Sequence, residues 1–502
     1  MRIRTRSFVI MISQGLSQLT SLVLTVILVR LVSKQTLGTY RQVILVYTFL
    51  AGVISLQLSS SLYYFIPKLG SEQRRTILIQ TFLATLAMAA IVAGIMFFGA
   101  EIIAQMFNNS DLVPLIRIFA LYPFVDRLAI LIPAFMISLD RAVRAGLYSL
   151  ATSVGRVGAV ITMFALGFGL SAAVSSVVVI GLITALIGCA DMVRLSPAGS
   201  WRFDRGLLME QFQYSWPLLA TAIVGVTNLQ LDKFLISIFF EPTKYAVYSC
   251  GAMELPVISL VTVSVSAAMM PALVTMVEKG RTVDALHTWQ EAARKCSLII
   301  FPCFVFFFAF GYDFIVLLYK ADYSLANWPF RIYLCSLPLK VAVYATLFRA
   351  TGQTRAIAIG GVLALVLNAV VSTSLVIIGR KSIVSFIGPA LGTVIATWGS
   401  WWYLLWQLTR ITSVSFSRIM RWKELTLMFL VCAICGVLVV AVPLPALPLI
   451  YKLAVRAAVY FVILLVVLLT TGMLKEDEKQ LLTFPLKFTR KKLSKLFGNV
   501  KT

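Results

Sequence analysis

Fourteen long apolar runs separated by short polar or Pro/Gly-containing breaks limit what this chain can fold into. They lie at 7–32, 40–66, 77–106, 112–138, 145–168, 171–193, 207–239, 245–276, 288–318, 329–349, 357–379, 386–410, 425–442 and 449–472. A hydrocarbon core of roughly 30 Å takes about 20 residues of helix at 1.5 Å each, so most of these runs are long enough to cross it. A backbone in lipid must satisfy its own hydrogen bonds, and runs of this length do so as helices. Only 13% of the 502 residues are charged, against about 25% in a soluble domain, and mean hydropathy is +0.93. The sequence therefore predicts an all-α polytopic membrane protein of about 14 transmembrane helices. The N-terminal MRIRTRSFVIMISQGLSQLTSLVLTVILV has the positive start of a signal peptide, but its apolar stretch is too long and lacks a small-residue cleavage site. It reads as a retained first helix.

Lys and Arg resist translocation and mark the cytoplasmic side. Of the 44 basic residues, 27 fall at the N-terminus, in every second loop (among them Arg74, Arg141, Arg205, Arg281, Arg355 and Arg421) and in the tail. Six lie in the alternate loops: Lys34, Lys244, Lys320, Arg380, Lys381 and Lys452. Both termini are thus expected in the cytoplasm, as an even helix count requires. The net charge of +24 is spread over short loops instead of one polar, aromatic-interleaved surface, which points to anionic membrane lipids and away from nucleic acid. In the tail, KFTRKKLSKLF (487–497) alternates five cations with Phe and Leu, as a helix lying on a membrane surface would; a solvated tail fits equally.

A weak internal repeat suggests two lobes. LGTYRQ opens the second run and PTKYAVY the eighth, placing Tyr40 and Tyr245 205 residues apart, and Pro67 and Pro271 follow them by 27 and 26 residues. DRAVRAG and RATGQTRA close the fourth and tenth runs, with Arg144 and Arg355 offset by 211. Such parallel repeats are a transporter signature. The expected organisation is an N-lobe at 1–205, a C-lobe at 206–410, two appended helices within 411–474 and a basic tail at 475–502.

No phosphate-cradling GxxxxGK loop, nucleotide fingerprint or metal-ligand cluster occurs, and the single histidine, His287, sits in a cytoplasmic loop. No catalytic residue, metal or cofactor is expected. The seven cysteines all fall in or beside apolar stretches, where thiols behave as small hydrophobes; for Cys432 and Cys435 packing is favoured over a redox or metal pair. Short outer loops argue against membrane glycosyltransferases, polymerases and ligases. The chain reads as a transporter, not an enzyme.

Eleven cations remain inside or at the rim of the runs. A charge at the bilayer centre costs roughly 2.5–3.5 kcal/mol even on the lenient insertion scale, so such a residue faces a wet cavity or a partner. Arg30, Arg41, Arg294, Lys295 and Arg331 lie near run ends, where a long side chain snorkels to the headgroups. Arg127, Arg156 and Lys340 sit near the middle, and Arg117, Lys233 and Arg456 at intermediate depth; these six are the substrate-binding candidates, with helix-locking ion pairs as the competing reading. Asp126, Asp232 and Glu254 are the candidates for ion coupling. Asp126 with Arg127 and Asp232 with Lys233 are sequence neighbours, about 100° apart on a helix, so they are expected to point apart. Arginine binds phosphate oxygens in bidentate fashion, and an excess of cations at depth predicts an anionic cargo. Prolines within the runs, including Pro123, Pro133, Pro217, Pro256 and Pro338, mark either static kinks or bends for alternating access.

Two six-helix lobes plus a helix pair, the LGTY entry to the second helix, LQLDKFLIS in the seventh and the basic loop after the tenth resemble the polysaccharide transporter branch of the multidrug/oligosaccharidyl-lipid/polysaccharide exporter superfamily. Similar members are Wzx-type flippases of the bacterial inner membrane. The resemblance implies translocation of undecaprenyl-pyrophosphate-linked oligosaccharides for O-antigen, capsule or exopolysaccharide assembly, a cationic cavity between lobes for the pyrophosphate, and polysaccharide polymerase and chain-length machinery as partners. A peptidoglycan lipid II flippase is the alternative reading. A cation-coupled drug exporter is disfavoured because no Asp or Glu precedes Glu72, and a membrane glycan polymerase because no long outer loop is present.

Overall fold

The structure, a computed structural model, describes residues 3–474 and Glu478 apart from Ser55, 196–201, Lys381, Leu444 and Ala446; the side chains of 3–14, Gln18, Ser71 and Glu72 fall outside it. The basic stretch 487–497 lies outside the described residues. The first part of the chain forms α1 (Ile3–Leu31), α2 (Lys34–Ile54), α3 (Leu58–Phe65), α4 (Ser71–Met106), α5 (Leu112–Phe119), α6 (Tyr122–Ser138), α7 (Ala142–Ala165) and α8 (Leu170–Leu195). Then come α9 (Arg205–Phe239), α10 (Pro242–Gly251), α11 (Pro256–Glu278), α12 (Thr282–Ala309) and α13 (Gly311–Tyr319). A 3-10 turn (Ala321–Ala326) leads to α14 (Asn327–Leu334), α15 (Leu337–Lys340), α16 (Tyr344–Ala350), α17 (Thr354–Ile378), α18 (Ile383–Thr412), α19 (Phe416–Ile419), α20 (Trp422–Ala441) and α21 (Leu449–Thr470).

Twelve segments among the described residues are long and apolar enough to cross a membrane. With α1 and the α5–α6 pair, every place in the expected series of fourteen is helical. The helices face outward with apolar side chains such as Phe98, Ile187, Ile378 and Val437, and bury polar ones such as Gln42, Gln211, Asp232 and Asn368. This inversion of the soluble pattern marks a multi-pass membrane protein.

Five of the runs expected as single helices are broken; the ninth is interrupted at Phe310, and the other four breaks follow the repeat. The second is interrupted between Ile54 and Leu58 and the eighth between Gly251 and Pro256; the fourth is interrupted after Phe119 and the tenth after Leu334 and again after Lys340. Prolines account for part of this. Pro123, Pro256 and Pro338 fall in the first turn of a helix segment, where a missing N–H costs nothing, whereas Pro133 and Pro217 sit inside α6 and α9.

The chain packs as two compact units, one of residues 1–263, 315–336 and 352–407, the other of 264–314, 337–351 and 408–502. In the first, α1 lies on α7, α7 and α6 on α8, and α2 against α9 and α10. The two repeat motifs meet here: a Cβ on Gly38 of LGTY would lie 2.0 Å from the carbonyl oxygen of Pro242, so only glycine allows α2 and α10 to approach this closely. Asn228 on α9, Asn368 on α17 and Thr393 on α18 add a buried polar seam, with the Asn368 amide donating to the Asn228 side-chain oxygen at 3.3 Å. In the second unit α12 packs on α20, and α20 on α21. Cys432 and Cys435 are buried free thiols on α20.

Candidate anion-binding site

The first unit concentrates charge around Asp126 of α6. Its Oδ2 accepts from the Tyr47 hydroxyl of α2 at 2.5 Å and from Nη2 of Arg127 at 2.8 Å. Its Oδ1 accepts from Nη1 of Arg156 on α7 at 3.0 Å and from the Tyr122 hydroxyl at 3.3 Å. Arg156 also donates to the Tyr122 oxygen at 2.6 Å and lies over that ring, 5.1 Å from its centroid. Two guanidinium groups thus share one carboxylate, and the cluster carries a net charge of +1. Arg127 and Arg156 are only 17% and 18% exposed. Nε of Arg127, and Nε and Nη2 of Arg156, are buried with no acceptor among the described residues.

Asp126 and Arg127 were expected to point apart; they form an ion pair. The 100° step between helix neighbours separates their Cβ vectors, but an arginine side chain is long enough to fold back to the preceding carboxylate. Asp232 and Lys233 of α9 depart from the same expectation less: Nζ of Lys233 stays 3.9 Å from Asp232 and donates instead to the Leu229 carbonyl at 2.8 Å. Asp232 is held by neutral donors, accepting on Oδ2 from Tyr248 at 3.0 Å and Tyr333 at 2.5 Å.

The other candidates are dispersed. Arg117 forms a solvent-facing pair with Glu101 at 2.8 Å. In the second unit Arg456 pairs with Asp313 at 2.6 Å and covers the Phe310 ring, and Lys340 ends the short helix α15.

Arg41 was expected to snorkel. Instead its guanidinium is held at depth by the Ser249 hydroxyl of α10 at 2.5 Å and the Thr25 hydroxyl of α1 at 2.9 Å, beside a cavity of about 410 Å³ that Glu254 and Tyr319 also line. Distance from a run end gave no hint of this; the sequence signal is that Arg41 follows Tyr40, the tyrosine of the repeat motif. Arg30 donates to the Leu317 and Leu318 carbonyls, and Arg294 pairs with Glu424 and Glu478. These too are protein contacts in place of the expected headgroups.

The helical bundle is a fold that this chain shares with a membrane flippase and with multidrug transporters. The chain superposes on the lipid II flippase MurJ in its inward closed conformation with a TM-score of 0.72, at 14% identity over 90% of this chain and 96% of that one. An inward-facing multidrug resistance MATE family transporter of the MOP superfamily gives 0.61, also at 14% identity, covering 80% and 96%. A MOP superfamily transporter from Pyrococcus furiosus gives 0.57 at 14% identity, covering 82% and 96%. At this identity the likeness establishes the fold. The sequence profile of the family described as polysaccharide biosynthesis protein matches residues 27–326, and the chain belongs to that family. No curated protein matches it in sequence.

Proposed function

We propose that this protein is a flippase that moves undecaprenyl-pyrophosphate-linked oligosaccharide repeat units across the bacterial inner membrane by alternating access, for O-antigen, capsule or exopolysaccharide assembly. The observation that carries the reading is the net positive cluster of Arg127, Arg156 and Asp126, with three buried guanidinium nitrogens lacking an acceptor among the described residues. Two cations against one anion in an apolar span are an expensive arrangement unless a further anion completes them. Family membership in polysaccharide biosynthesis supplies the kind of anion: a glycan carried on a lipid phosphate. Arg41, beside its cavity, offers a second cation for the same cargo. Both termini then lie in the cytoplasm, and the polymerase and chain-length machinery of the glycan are the expected partners.

On this reading Asp126 serves as counter-ion to the arginines, and Asp232, with its neutral donors, is the better candidate for coupling to an ion gradient. Charge reversal of Arg127 and Arg156 together should abolish surface polysaccharide while the protein remains in the membrane; full surface glycan in that variant would sink the proposal. Depletion should strip surface glycan from intact cells, whereas lysis on depletion would assign the cargo to peptidoglycan lipid II.

A further inference from the structure

The interruption between α2 and α3 opens on a cavity of about 100 Å³ lined by Gln57, Ser59, Ser60, Thr85, Met88 and Arg127 among others. A space of this size admits one tetrahedral oxyanion. Three observations bear on its occupant. Arg127, whose side chain is 17% exposed, lines it from a cluster one positive charge in excess. Thr85 is only 6% exposed, and its hydroxyl makes no hydrogen bond with the described residues; Thr48 and Thr152 on neighbouring helices return theirs to the carbonyl four residues back. Finally, α3 begins here. Its N-cap residue Gln57 has φ 52° and gives no side-chain cap. The Ser60 N–H is taken by the Gln57 carbonyl at 2.9 Å, and a helix start presents further backbone N–H donors in its first turn.

We propose that this cavity is a phosphoryl-binding subsite, taking one phosphate-type oxyanion between Arg127, the hydroxyls of Thr85, Ser59 and Ser60, and the first N–H groups of α3. The proposal rests on the reading of the protein as a carrier of a lipid-linked pyrophosphate. It adds the place at which one phosphoryl group of that cargo is held, and gives the break in the second span a role. A singly charged oxyanion balances the cluster.

The test is equilibrium binding of inorganic phosphate to the purified full chain in detergent at constant ionic strength. Wild type should bind saturably, Thr85→Val about tenfold more weakly, and Thr85→Ser, which keeps the hydroxyl, close to wild type. Undecaprenyl pyrophosphate in the micelle should displace the phosphate, and phosphatidylglycerol at the same mole fraction should not. No saturable binding in wild type, or equal affinity in wild type and Thr85→Val, overturns the subsite; equal displacement by phosphatidylglycerol overturns its assignment to the cargo. If the subsite fails while reversal of Arg127 and Arg156 still abolishes surface polysaccharide, the flippase reading stands. Retained polysaccharide in that reversal variant removes the flippase reading by a separate route.

Discussion

Asp126 and Asp232 are both aspartates within membrane helices, and each accepts hydrogen bonds from two tyrosine hydroxyls, yet their surroundings differ. Asp126 is shared by Arg127 and Arg156. Asp232, 1% exposed at its side chain, has among the described residues only the remote Lys233 ammonium at 3.9 Å as a cation, and there its Oδ1 has no hydrogen bond. The first site has one positive charge too many; the second keeps a carboxylate with mainly neutral donors around it. On the proposed function, such a difference in a low-dielectric span favours an anion at the first site and cation exchange at the second.

The comparison breaks most visibly when Asp126 is neutralised. Asp126→Asn leaves two guanidinium groups facing each other without a counter-charge and should destabilise the protein by about 3 kcal/mol in thermal unfolding in detergent. Asp232→Asn keeps an oxygen for Tyr248 and Tyr333 and should cost clearly less; an equal loss at both positions would dissolve the distinction. A double substitution, Asp126→Asn with Arg156→Gln, removes one charge of each sign. It should recover stability relative to Asp126→Asn alone, with a coupling energy of about 1–3 kcal/mol.

Tyr47→Phe and Tyr333→Phe each delete a hydroxyl that donates to a carboxylate at 2.5 Å and should each cost about 1.5–3 kcal/mol in the same assay. Only Tyr333→Phe should also alter the dependence of glycan transport on the imposed ion gradient, because only Asp232 is read as a coupling group. The smallest effect belongs to Lys233→Met. Its ammonium donates to a backbone carbonyl instead of to Asp232, so the loss should stay within about 1 kcal/mol; a larger one would show that Lys233 is the working counter-ion of Asp232.

Much of the fold was legible because the bilayer imposes a simple rule on sequence. Long apolar runs appear as helical segments, and the weak repeat marked elements that do meet, since Gly38 of LGTY touches Pro242 of PTKYAVY. The breaks within the second, fourth, eighth and tenth runs were less legible. Hydropathy averages over about 20 residues and does not register a two- or three-residue change of backbone direction, and prolines flagged only part of them. At the site, depth along a run picked out Arg127 and Arg156 as cations in need of partners, but it passed over Arg41 and placed Lys233, Arg117 and Arg456 in the same group as the two that share Asp126.

The sequence by itself determined that this chain lives in a membrane as a series of long apolar helices. This follows from transfer free energies, which depend on residue type and position along the chain. Which cations come together was decided only by tertiary structure. The placement of Arg127 and Arg156 on one carboxylate depends on how α2, α6 and α7 pack, and the tyrosine cage of Asp232 on how α9, α10 and α14 do. Ion pairs and hydrogen bonds are read over about 3 Å in space, a scale that spacing along a helix does not resolve.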